Sequence, residues 1–130
     1  RKALGYTGRS CEASDPEYLV AYRNRRIILN MVDAPIGKYF DLGMFDQSLA
    51  FIEEHLTNGK KILIHCNLGI SRSPSIGLLY LAAQGKIRNS SFKEAQEDFV
   101  KIYPNYAPSG IKEFLTSNWE YFFPELNELP

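Results

Sequence analysis

Two reactive residue types, Cys66 and Arg72, stand six positions apart, between an apolar run and a stretch that is typical of a helix start. The apolar run, residues 61–64, predicts a buried strand, and Ser73 followed by Pro74 predicts the capped first turn of a helix. A loop in this position directs backbone N–H groups inward at the positive end of the helix dipole. The sequence therefore predicts an anion-binding loop with a thiol at its entrance.

The chemistry of such a loop follows from its residue types. Inward N–H groups, the helix dipole and the Arg72 guanidinium all favour a thiolate, so we expect the pKa of the Cys66 thiol to be lowered. Arg72 offers a planar fork of donors that matches two phosphoryl oxygens, and Gly69 lets the backbone turn where a side chain would block the anion. The alternative, a buried core cysteine and a surface arginine, explains neither Gly69 nor the helix start. The pattern favours a phosphoryl group that faces a sulfur nucleophile.

The stretch HCNLGISRSP, from His65 to Pro74, resembles a known family signature. A His-Cys pair, five residues and then Arg-Ser is similar to the signature of cysteine-dependent protein tyrosine phosphatases, and of their dual-specificity branch in particular. The resemblance covers residues 26–123. It implies a cysteine-dependent phosphatase with an α/β fold, in which helices flank a central, mostly parallel sheet.

Apolar periodicity predicts the same fold class. It indicates strands at 18–22, 26–32 and 61–64, and helices at 42–57, 73–84, 92–103 and 109–122. A strand, a helix and a strand in this order form a right-handed crossover, so strands 26–32 and 61–64 should be parallel neighbours. We expect one domain over residues 26–123, preceded by an arm or extra strand at 1–25 and followed by a loose acidic tail at 124–130.

Hydrolysis through sulfur needs a thiolate, a cradle for the phosphoryl oxygens and an acid for the leaving oxygen. The resemblance implies that the acid is an aspartate some thirty residues before the cysteine, at the end of the neighbouring strand. Asp33 meets this description, because it follows the strand at 26–32 and precedes a loop and a helix. Asp41 and Asp46 are the alternatives, although they lie nearer to the helix or inside it.

The resemblance implies roles for further residues. Ser73 would hydrogen-bond the thiolate as it leaves, and it could also cap the helix. His65 would hold the loop by hydrogen bonding, and Asn105, in a Pro-Asn pair, would support the active-site loops. The residues that would cradle the substrate phosphate are Asn67, Leu68, Gly69, Ile70 and Ser71.

The predicted activity is phosphoprotein hydrolysis through a cysteinyl-phosphate intermediate, acting on phosphotyrosine and also on phosphoserine or phosphothreonine. Family members that act on inositol phospholipids tend to carry lysines in the loop, whereas Asn67, Leu68 and Ile70 are uncharged. Two alternatives stay open: a module that binds phosphorylated sites with little turnover, and a phosphatase for a non-protein ester.

Two other hydrolase mechanisms do not fit the sequence. A serine nucleophile elbow around Ser71 would need a glycine where Ser73 stands and a histidine downstream, yet His55 and His65 both come earlier. The same two histidines and the scattered carboxylates show no metal-ligand spacing, so we predict neither a metal nor any other cofactor.

Composition narrows the choice of partner and compartment. The 130 residues include fifteen basic and fifteen acidic side chains, so we expect no electrostatic capture of nucleic acid or of a membrane surface. The two cysteines are too few for a disulfide framework and suit a reducing cytoplasm, with Cys11 either a partner thiol for Cys66 or an uninvolved residue. The expected partner is a phosphorylated protein, and the expected state is a monomer.

Overall fold

The computed structural model of the chain describes residues 14–128. It divides into two compact units. The first comprises the chain up to Val32 together with Asp41–Lys61, and the second comprises Asp33–Phe40 together with the chain from Ile62 onward. Cys11 and the first part of the predicted arm lie outside the described residues.

The first unit contains a β-hairpin. Strands β1 (Val20–Arg23) and β2 (Arg26–Leu29) pair antiparallel, with Arg23 opposite Arg26. The turn places Asn24 in the left-handed region, at φ 56°, which asparagine tolerates better than most residues. A connection this short can join only antiparallel neighbours.

Helix α1 (Leu42–Thr57) completes the first unit and has the predicted bounds. The Asp41 carboxylate caps its first turn by accepting a hydrogen bond of 3.2 Å from the Met44 N–H. The helix ends at Thr57, Asn58 occupies the position that follows it, and Gly59 comes next with a φ of 75°. The side chains that α1 buries are Met44, Phe45, Ser48 and Ile52.

The second unit is helical within its described residues. It contains α2 (Arg72–Ala83), α3 (Phe92–Ile102), α4 (Gly110–Ser117) and α5 (Trp119–Phe122), with 3₁₀ turns at Gly37–Tyr39 and Pro124–Glu128. Helix α3 contacts both α2 and α4. The fully buried residues of these three helices include Leu78, Leu79, Ala95, Ile111 and Leu115. The apolar side chains Ile111 and Leu115 of α4 are therefore part of the core.

Two predicted helices, at 92–103 and 109–122, are present, but their bounds differ from the predicted ones. Ser91 caps α3, because its hydroxyl accepts a hydrogen bond of 3.2 Å from the Glu94 N–H. The last predicted helix divides at Asn118, whose side-chain amide donates to the Phe114 carbonyl at 2.8 Å. Trp119 then turns its indole N–H to the Asn89 carbonyl, also at 2.8 Å, and this bond anchors α5 separately. The predicted loose tail opens with a 3₁₀ turn.

The predicted strands differ more from the structure. β2 is shorter than predicted and pairs with β1, and residues 60–66 have no regular secondary structure. Along residues 61–64 half-buried and exposed positions alternate, and 83% of Leu63 is exposed, so this run is not the buried strand that the sequence predicts. Because the described residues contain a single two-stranded antiparallel sheet, the central parallel sheet stays a prediction.

Across residues 14–128, every helix is too short or too polar to span a bilayer.

Candidate active site

The loop that precedes α2 places the Cys66 sulfur within hydrogen-bond distance of two groups of Ser73. The Sγ atom lies 3.2 Å from the Ser73 hydroxyl oxygen, and the Ser73 backbone N–H donates to it at 3.4 Å. Gly69 lies in the loop with a φ of 70°, the left-handed conformation that favours glycine. The structure thus places the hydroxyl and the backbone N–H of Ser73 beside the thiol.

The surroundings of Cys66 favour the thiolate. Partial burial on its own would raise the pKa of the thiol. Hydrogen bonds from the Ser73 hydroxyl and N–H, a further one from the Gly69 N–H, and the positive charge of Arg72 outweigh that effect, so the pKa of Cys66 is lowered. A thiolate is the form of cysteine that attacks an electrophile.

The Ser73 hydroxyl can be tested through the reactivity of the thiol. We expect Ser73→Ala to raise the pH at which alkylation of Cys66 by iodoacetamide reaches half its maximal rate, because the thiolate loses a donor. Ser75→Ala is the matched control in the same helix, since the Ser75 hydroxyl bonds Tyr106 at 2.6 Å instead of the sulfur. An unchanged midpoint in Ser73→Ala would contradict the assignment.

The helix start differs from the prediction. α2 begins at Arg72, so Ser71 occupies the cap position and Ser73 lies inside the first turn. The prediction that Ser73 caps the helix is therefore wrong. The Ser71 hydroxyl does not cap the helix either, because it accepts a hydrogen bond of 3.1 Å from the Ser109 N–H. This contact ties the loop to the start of α4.

The segment that joins α3 to α4 supports the loop from outside. The Tyr103 hydroxyl donates to the Gly69 carbonyl at 2.5 Å, and the Ala107 N–H donates to the Ile70 carbonyl at 2.7 Å. Asn105, predicted for this supporting role, is exposed and makes no side-chain hydrogen bond within residues 14–128. The support comes from residues on both sides of Asn105, and no local sequence pattern identifies them.

Asp33 lies in the same compact unit as Cys66. Its carboxylate is exposed and accepts a hydrogen bond of 3.4 Å from the Ser109 hydroxyl, which also lies 3.2 Å from the Ala34 carbonyl. Ser109 therefore contacts both the Asp33 segment and the anion loop through Ser71. Of the two alternative acids, Asp41 is engaged as the cap of α1, and Asp46 lies inside that helix, both in the other unit.

A close backbone approach sets the position of the Asp33 segment. A Cβ atom on Gly110 would lie 2.5 Å from the Ala34 carbonyl oxygen and 2.6 Å from the Ile36 nitrogen. Neither backbone atom can move without displacing residues 33–36. Glycine at the start of α4 is thus needed for this packing.

We expect Gly110→Ala to destabilise the fold by about 1–3 kcal/mol, the usual cost of overpacking, and to lower turnover as the Asp33 segment shifts. Thermal unfolding and a phosphatase assay would measure the two effects. Gly77→Ala in α2 is the control, because its added Cβ would meet no atom within 4 Å. Equal stability of the two variants would contradict the packing argument.

The remaining predicted residues differ in their exposure. His65 and Asn67 are exposed, and Leu68 is 70% exposed. His65 makes no side-chain hydrogen bond among the described residues, so its supporting role stays a prediction. Arg72 is half-buried as the first residue of α2.

The comparisons with known proteins identify a family. The family "Dual specificity phosphatase, catalytic domain" matches residues 22–107. The chain therefore belongs to the dual specificity phosphatase family, and it is a domain of the cysteine-dependent phosphatase class with the α/β fold of that class.

Individual relatives match shorter stretches. Dual specificity protein phosphatase 2 of Mus musculus is 36% identical over 72 residues, which are 51% of this chain and 21% of the relative. The human Dual specificity protein phosphatase 5 is 37% identical over 71 residues, 51% of this chain and 17% of the relative. The Mus musculus Serine/threonine/tyrosine-interacting protein is 33% identical over 82 residues, 62% of this chain and 36% of the relative. No solved structure gives a significant match.

The chain thus spans about a fifth to a third of the length of these relatives.

Proposed function

We propose that residues 26–123 hydrolyse phosphate monoesters on proteins through a cysteinyl-phosphate intermediate. The observation that carries the proposal is the Cys66 sulfur, which the Ser73 hydroxyl contacts at 3.2 Å in a loop whose donors and charge lower the pKa of the thiol. A thiolate that faces an anion site is the reactive group that such a reaction requires. We also propose the central, mostly parallel sheet for the complete domain.

In the first step the thiolate attacks phosphorus, and the bond from phosphorus to the ester oxygen breaks. Arg72 and the loop N–H groups hold the phosphoryl oxygens, while Asp33 gives its proton to the leaving oxygen. The location of Asp33 in the unit that contains Cys66 supports its choice over Asp41 and Asp46.

In the second step water attacks the phosphorus of the cysteinyl phosphate. The Asp33 carboxylate takes a proton from this water, the sulfur leaves as a thiolate, and inorganic phosphate is released. The Ser73 hydroxyl, 3.2 Å from the sulfur, stabilises the departing thiolate. The two steps together return the site to its initial protonation state.

The substrate that we propose is a phosphoprotein carrying phosphotyrosine, phosphoserine or phosphothreonine. The uncharged loop residues Asn67, Leu68 and Ile70 offer no extra cation for the several phosphates of an inositol lipid. Side-by-side hydrolysis of phosphotyrosyl and phosphothreonyl peptides and of an inositol phospholipid tests this choice. A clear preference for the lipid would overturn it.

A second candidate function is supported by two relatives that are named interacting proteins, one from Mus musculus and one from Xenopus laevis. The domain would then bind phosphorylated partners with little turnover. A rapid-quench measurement with a phosphotyrosyl peptide separates the enzyme from the binding module. An enzyme releases a first equivalent of product per site and then continues to turn over substrate. Tight binding without release of inorganic phosphate would favour the binding module.

A further inference from the structure

The anion loop is held from outside at two consecutive peptide groups. The Gly69 carbonyl accepts from the Tyr103 hydroxyl at 2.5 Å, and the Ile70 carbonyl accepts from the Ala107 N–H at 2.7 Å. These carbonyls belong to the peptides that carry the N–H groups of Ile70 and Ser71. The orientation of both peptides is therefore fixed by the segment between α3 and α4.

A trans peptide is planar, and its carbonyl and N–H point in opposite directions. Because the Gly69 and Ile70 carbonyls turn toward Tyr103 and Ala107, the N–H groups of Ile70 and Ser71 turn away from that segment. Successive N–H groups on one side of a loop form an anion-binding concavity.

We propose that Tyr103 is a positioning residue for the phosphate cradle. Its hydroxyl holds the Gly69 carbonyl outward, and this aims the Ile70 N–H at a phosphoryl oxygen. The inference deepens the proposed function, on which it rests. Gly69 adds to the need for such an anchor, since a glycine at φ 70° leaves its peptide free to rotate when no partner holds it.

Tyr103 is suited to this role because its ring and its hydroxyl have separate contacts. The ring packs against Phe99 at a centroid distance of 5.9 Å, while the hydroxyl reaches across to the loop. The side chain is 37% exposed, so the core does not depend on its hydroxyl. Tyr103→Phe should then keep the packing and remove only the anchor.

Tyr106 provides a matched control. Its ring also packs against Phe99, at 5.2 Å, but its hydroxyl bonds Ser75 inside the core at 2.6 Å. Burial raises the pKa of Tyr106 to about 12, even though the bond from Ser75 opposes this, so the hydroxyl stays protonated across the assay range. Tyr106→Phe removes a hydroxyl from the same segment without touching the anion loop.

The test measures how well tungstate, a phosphate mimic, protects Cys66 from alkylation by iodoacetamide. It requires no catalytic turnover. We expect the tungstate concentration that gives half-maximal protection to rise about fivefold or more in Tyr103→Phe. A change of this size corresponds to the loss of about one net hydrogen bond. The concentration should stay unchanged in Tyr106→Phe, which should instead lower the melting temperature. The pH midpoint of alkylation should not change in Tyr103→Phe, because the donors to the sulfur are Ser73 and the Gly69 N–H, which belongs to a different peptide.

Two results would overturn the inference. In the first, tungstate protects Tyr103→Phe as well as it protects the unchanged protein. In the second, Tyr103→Phe and Tyr106→Phe lose protection equally and both melt at a lower temperature. A different result bears on the proposed function alone. If the unchanged protein releases no phosphate from any ester and Tyr103→Phe still weakens tungstate protection, the positioning role stands and the proposed hydrolysis is wrong.

Discussion

Cys66→Ser is expected to abolish phosphate release, with a loss on the order of 10⁴-fold or more, while binding of a phosphotyrosyl peptide stays within about tenfold of the unchanged protein. A serine hydroxyl is protonated at neutral pH and is a far weaker nucleophile than the thiolate that Ser73, Gly69 and Arg72 stabilise. The loop and its backbone N–H groups remain in place. Malachite-green detection of phosphate and calorimetric titration of the peptide would measure the two quantities.

Arg72→Lys makes a contrasting variant, because lysine keeps the positive charge but loses the planar fork that matches two oxygens. Peptide binding and turnover should both fall in this variant, whereas Cys66→Ser should lose turnover alone. Vanadate, which resembles the five-coordinate phosphorus, should inhibit the unchanged protein, and EDTA should have no effect. Turnover that survives in Cys66→Ser, or that disappears in EDTA, would show that another group performs the chemistry.

Asp33→Asn is expected to lower kcat by about 10²–10⁴-fold for tyrosyl or alkyl esters, the usual contribution of a positioned acid. Esters with a good leaving group, such as a nitrophenyl phosphate, need less protonation and should lose less. The basic limb of the pH profile of kcat should disappear, because that limb reports the acid losing its proton in the bound complex. The acidic limb, which reports formation of the Cys66 thiolate, should remain.

Asp41→Asn is the control for this experiment, because asparagine caps a helix about as well as the aspartate that caps α1. We expect its pH profile and its stability to match those of the unchanged protein. If Asp33→Asn kept a bell-shaped profile and penalised all leaving groups equally, the acid would have to be another residue. Asp46 would then be the next position to replace.

The sequence by itself determined the features that depend on near neighbours along the chain. The contact of Cys66 with Ser73 spans seven residues, and its consequence for the thiol could be predicted from the loop and the helix start. Helix α1 has its predicted bounds, and α3 begins at its predicted residue, where Ser91 caps it through a contact that spans three residues. These interactions are encoded locally, so a local pattern reveals them.

The tertiary structure decided which distant segments meet. Tyr103 reaches the carbonyl of Gly69 across 34 residues, and Ser109 reaches the Ser71 hydroxyl across 38. The second contact draws the Ser71 hydroxyl away from the helix end, although Ser71 stands at the cap position. No periodicity marks such pairs, since they depend on how the ends of α3 and α4 come to the loop.

Strand pairing was the least predictable feature, for a related physical reason. The apolar pattern at residues 26–32 indicates an extended, partly buried segment but does not specify its partner. The structure pairs β2 with β1 through a two-residue turn, the pairing with the shortest loop to close. The sequence therefore determined the reactive thiol and the bounds of α1, whereas the packing of distant segments decided which residues hold the anion loop and the Asp33 segment in position.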